Sequence, residues 1–170
     1  MEKSKLALYI TRVLQLISAA IVLGIGITLA RDINTISHGK GCYQHGDPDD
    51  KIKCSDLVGR YPSSTAYAAF TGAFGLLDGI LGLVGVVVMG VPWWVVVGVD
   101  ALAGVFYLAG GVNSAVLRAK NSEWIDHQGL HIWSRFDTIT AFMFIGFLVT
   151  LLCMALVFLT GRRRGKSSVV

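Results

Sequence analysis

The chain has 170 residues, of which 54% are hydrophobic and only 15% charged, with a formal net charge of +4. A mean hydropathy of +0.62 excludes an ordinary soluble domain, which needs a polar exterior. The basic excess is densest at the C-terminal end, where the run GRRRGKSSVV closes the chain.

Four apolar blocks account for the composition: residues 6–30, 64–88, 93–117 and 136–160. As helices of roughly 37 Å, each is long enough to cross a hydrocarbon core of about 30 Å with some tilt. Backbone groups in lipid must bond internally, which favours helices, and the alternating pattern of a membrane barrel strand is absent. The expected fold is an all-α membrane protein, a four-transmembrane-helix bundle over residues 1–161, with a basic cytosolic tail at 162–170.

The first block carries Lys3 and Lys5 ahead of it, as a signal peptide does, and Thr28-Leu29-Ala30 ends on a small residue. Its apolar run is too long for an ordinary signal and Arg12 interrupts it, so a retained helix is expected. Residues 31–61 follow as a polar loop without a sustained helical or strand period. Within it, CYQHGDPDDKIKC places Cys42 and Cys54 at either end of a Gly-Asp-Pro turn. A disulfide between them would close a ring of about thirteen residues, worth roughly 3 kcal/mol in the chain-entropy model. The rival is a metal site from His38, Cys42, His45 and Cys54, whose spacing lacks the tight pairs usual for zinc. No metal is expected.

Tyr61-Pro62-Ser63-Ser64-Thr65 reads as the opening of the second helix, since Pro and Ser/Thr suit a helix start. Gly90-Val91-Pro92 is a short turn, making the second and third helices an antiparallel hairpin, with Trp93 and Trp94 at the interface. Small residues recur at helical spacing on this hairpin. They are Ala68, Gly72, Gly75, Gly79 and Gly82, then Ala101, Gly104, Gly111 and Ala115. Such residues let backbones approach closely, in this bundle or across a self-association surface. The loop near 118–133 holds His127 and His131, four apart, which read as a solvated loop or a weak metal hint. Cys153 reads as a buried small residue.

Intramembrane Arg12, Asp78 and Asp100 stand out, because ionisable groups in membrane helices usually face the interior and seek one another. Counted from the turn near Val91, Asp100 lies about 13 Å in and Asp78 about 19 Å in, while Arg12 lies roughly 10 Å in from the same side. Arg12 and Asp100 therefore share a layer, and an ion pair is expected. Side chains lean toward their helix N-terminus, so Asp78 is expected to point the other way. Its options are Tyr107 or Thr150 at similar depth, or a proton. No catalytic set and no cofactor site is evident.

With four spans both termini share one side. The basic cluster after the last helix and the two loop cysteines, which need an oxidising side to pair, put both termini in the cytosol and both large loops outside. Arg162, Arg163, Arg164 and Lys166 would then meet anionic lipid, at about 1 kcal/mol each. Phosphorylation of Ser167 or Ser168 would weaken that attraction.

Three segments carry a family resemblance: TAYAAFTGAFGLLDGILGLVG (65–85), VGVDALAGVFYLAGGVNSAVLRA (97–119) and SRFDTITAFMFIGFLVTL (134–151). They resemble fungal MARVEL-domain proteins, nearest the short non-classical-export, eisosome-associated type. Asp100 sits where such proteins tend to carry an aspartate. The chain departs from the pattern at Trp133-Ser134-Arg135-Phe136, where an Arg-Cys pair is expected, and at Asp78, where an apolar residue is. The resemblance implies a plasma-membrane protein that organises lipid microdomains or trafficking rather than an enzyme. Its expected partners are membrane lipids (sterol, sphingolipid or anionic inner-leaflet lipid), copies of itself or other membrane proteins, and not nucleic acid. The rival function is a small transporter or channel, or its accessory subunit, with Asp78 and Asp100 on a polar path. Claudin-like and tetraspanin-like signatures are absent.

Overall fold

The structure, a computed structural model, describes residues 2–38, 48–87, 92–126 and 132–166, with side chains over 6–32, 63–85, 92–119 and 134–160. It contains four helices: α1 (Glu2–His38), α2 (Pro48–Val87), α3 (Trp93–Asp126) and α4 (Ile132–Lys166). Each contains one apolar span: Leu6–Asp32, Ser63–Gly85, Trp93–Ala119 and Ser134–Thr160. These coincide closely with the four blocks read from composition.

The helices themselves run well past the spans, which corrects two expectations. Much of the polar segment at 31–61 is helical, because α1 continues to His38 and α2 starts at Pro48. Pro62 therefore lies inside α2 rather than at its start. The helix begins instead at Pro48, where a missing amide costs nothing. Likewise α4 does not stop at residue 160 but continues through the basic run to Lys166. The Val95 amide donates to the Pro92 carbonyl at 3.0 Å and starts α3.

The helices pack in cyclic order. α1 lies against α2 and α4, and α3 lies against α4 and α2, with the α2–α3 seam the slightest. The α1–α2 seam is the closest because glycines line it. A Cβ at Gly72 would sit 2.5 Å from the Leu23 amide nitrogen, and one at Gly26 would sit 2.9 Å from that of Ala69. No larger residue lets the two backbones meet there. At the slight α2–α3 seam, Phe106 fills the gap edge-on to Tyr67, Phe70 and Phe74.

The exterior is apolar. Leu77, Leu81, Val105, Leu148 and Leu159 are all exposed, and only 28–39% of each span's most apolar window is buried inside the bundle. Water would not tolerate such a surface, whereas lipid does. At the end away from the termini, half-exposed ion pairs tie α4 to its neighbours, Arg135 to Asp32 of α1 at 2.5 Å and Arg118 of α3 to Asp137.

Candidate functional site

The bundle interior has two layers. Farther from the termini is an apolar cluster with residues from every helix: Val22, Ala68, Tyr107, Ile139 and Met143, all nearly inaccessible. Nearer the termini, the four helices instead contribute Arg12 and Gln15 from α1, Asp78 from α2, Asp100 from α3 and Cys153 from α4. None of these is more than 2% exposed.

Arg12 reaches across the bundle to Asp100 in a bidentate fork, Nη1 to Oδ1 at 2.5 Å and Nη2 to Oδ2 at 2.7 Å. This geometry gives a guanidinium–carboxylate pair both strength and direction. The same Nη1 donates to Gln15 Oε1 at 2.8 Å, and Gln15 Nε2 donates to Asp78 Oδ2 at 2.6 Å. Cys153 Sγ faces Gln15 Oε1 at 3.7 Å and closes the layer from α4. Gln15 is thus the hub, joining the ion pair to the second acid.

Two glycines make this arrangement possible. Gly75 and Gly82 lie one turn to either side of Asp78, on the same face of α2. A Cβ at Gly82 would overlap the Arg12 guanidinium, and one at Gly75 would overlap the Tyr107 hydroxyl. Gly79 makes room for Leu16, where a Cβ would lie 2.6 Å from Cδ2. Gly111 is also close-packed, a Cβ there meeting Phe144 at 3.3 Å. Gly104 differs, because its nearest neighbour would be Thr150 Cγ2 at 3.7 Å, an ordinary contact.

Arg12 and Asp100 meet as their shared depth requires. Asp78 does not turn away from them, and neither Tyr107 nor Thr150 serves it. The Thr150 hydroxyl donates to the Gly146 carbonyl of its own helix at 2.8 Å, and the Tyr107 hydroxyl has no partner. Buried Ser18 and Thr71 also return their hydroxyls to their own helices, as such residues do where few other acceptors exist. The reason Asp78 joins the layer is Gln15. It sits three residues past Arg12, about 4.5 Å deeper along the helix, and spans the depth difference. Its spacing of three from Arg12 on one helix face was the available signal.

Cys42 lies outside the described residues and so does the Cys54 side chain, which leaves both the expected disulfide and the rival metal set outside them. Arg162, Arg163, Arg164 and Lys166 lie on the last turns of α4, with their side chains likewise outside. Among the described residues, no three His, Cys, Asp or Glu side chains are placed to hold a metal.

A family model described as a membrane-associating domain, MARVEL, matches residues 5–160. No curated protein and no solved structure matches the chain.

Proposed function

The chain belongs to the MARVEL family of membrane-associating domains, and from that premise we propose that it organises membrane microdomains or membrane traffic by helix packing and lipid association. One observation carries this reading. The ionisable side chains buried between the helices, Arg12, Asp78 and Asp100, are held with Gln15 in one hydrogen-bonded layer, while large apolar side chains are exposed on every span. Such a bundle presents lipid with a continuous hydrophobic wall and spends its polar groups on its own assembly.

In this reading the protein is a multi-pass plasma-membrane protein with both termini in the cytosol. Arg162, Arg163, Arg164 and Lys166 attract anionic inner-leaflet lipid, and a Cys42–Cys54 disulfide lies outside. The resemblance of residues 65–85, 97–119 and 134–151 to the non-classical-export, eisosome-associated type supports a role in microdomains or in trafficking.

Gentle extraction followed by identification of co-purifying lipids and proteins tests this. Enrichment of one sterol or sphingolipid is the expected result. A stoichiometric transporter in its place would favour an accessory subunit. That second reading draws its support from Asp78, an acid additional to the Arg12–Asp100 pair.

A further inference from the structure

The net positive charge of the chain resides at one end of the bundle. Residues 31–61 and 118–137 hold eight basic and eight acidic residues, which cancel. The end that carries the termini holds Lys3, Lys5, Arg162, Arg163, Arg164 and Lys166 against one acid, Glu2. These six cations are further confined to one side of that end. Lys3 and Lys5 lie on the first turn of α1 and the other four on the last turns of α4, and α1 and α4 are neighbours. The α2–α3 side has no charged residue from 79 to 99 and carries the exposed Trp93 and Trp94 instead.

Two contacts fix the depth of the cluster. Arg12 pairs with Asp100, and α1 and α3 run in the same direction. Lys5 precedes Arg12 by seven residues, as Trp93 precedes Asp100. Lys5 is therefore level with Trp93, at the interface where indole rings settle, and Lys3 lies just beyond it. On α4, Phe158 meets Trp93 edge-on with ring centroids 5.9 Å apart. Arg162 follows one turn later, about 6 Å farther out. Both groups thus fall in the headgroup layer. Because α4 stays helical to Lys166, its four cations occupy only about 6 Å of helix axis, and the axes of packed helices lie about 8–10 Å apart. The cluster is dense and is set on two helices rather than on a flexible tail.

We propose that the ends of α1 and α4 together form a site for one lipid headgroup bearing several phosphates, a phosphatidylinositol bisphosphate, rather than a surface that gathers singly charged lipids. This deepens the reading that the basic run meets anionic inner-leaflet lipid, and rests on it. Such a headgroup brings several charges to one point and offers them to Lys and Arg of two helices at once. Phosphatidylserine brings one net charge, so several molecules must be gathered to match it. Clusters of basic residues beside a membrane helix suit phosphoinositide headgroups, and the planar guanidinium fork suits phosphate oxygens.

Native mass spectrometry of the full chain in detergent, titrated with phosphatidylinositol bisphosphate or with phosphatidylserine, tests it. One bisphosphate lipid per chain is expected to stay bound at concentrations where phosphatidylserine does not. Lys3→Gln with Lys5→Gln, on α1, is expected to weaken that binding by about 30-fold. Arg163→Gln with Arg164→Gln, on α4, is expected to weaken it to a similar degree. Lys51→Gln with Lys53→Gln, at the opposite end on the first turns of α2, is expected to leave it unchanged. All six positions lie outside the apolar spans, and an unchanged melting midpoint checks that the bundle is intact. Phosphatidylserine that binds as tightly at matched charge overturns the site, as does an α1 variant that binds like the wild type. Failure of both lipids to bind overturns the underlying reading of the basic run as well.

Discussion

The two interior layers of this bundle solve the same packing problem by different means. The layer around Val22, Tyr107 and Met143 fills space with apolar side chains from four helices. It gains only dispersion, since lipid is as apolar as the core and drives no burial. The layer around Arg12, Gln15, Asp78 and Asp100 gains directed bonds, because an unsatisfied polar group in hydrocarbon is far worse than a satisfied one. The first tolerates substitutions of similar shape; the second fixes which helix faces which. α1 and α3 face one another diagonally in the cyclic order, and the Arg12–Asp100 fork is what joins them across the centre.

Removing the cation breaks the polar layer most completely. Arg12→Met leaves two buried carboxyls without their guanidinium and is expected to cost about 3–5 kcal/mol, read as a loss of folded fraction in detergent titration. Backbone contact comes next. Gly72→Ala places a Cβ against the Leu23 backbone and is expected to cost about 1–3 kcal/mol. Gly104→Ala, where the added atom meets ordinary contacts, is expected to leave the same unfolding curve unchanged. Gln15→Leu removes the hub with little change in size, and about 1–2 kcal/mol is expected. No loss is expected at the border between the layers. The Tyr107 hydroxyl is buried without a partner, so Tyr107→Phe is expected to be neutral or to stabilise by up to about 1 kcal/mol.

Different parts of this architecture were legible in the sequence to different degrees. The spans were, because length and hydropathy alone determine what crosses a bilayer. The ends of the helices were not. Pro62 carries the local signature of a helix start, yet α2 begins fourteen residues earlier at Pro48, which has the same signature. The ion pair was legible as depth arithmetic on two charged residues. The position of Asp78 was not, because it depends on an uncharged residue, Gln15, and on how far the α1–α2 glycines let two backbones approach. Glycine spacing marked the seam without separating Gly72, which has no room for a methyl group, from Gly104, which does.

The central claim is that the polar layer exists to assemble the bundle. A double-mutant cycle on Arg12→Met and Asp100→Leu, read by equilibrium unfolding in detergent, tests it most directly. Arg12→Met is expected to be strongly destabilised, because it leaves two carboxyls without their guanidinium, and adding Asp100→Leu, which removes the other half of the fork, is expected to recover part of that loss. Additive losses, or single variants that unfold like the wild type while a pH-dependent flux disappears, would contradict it.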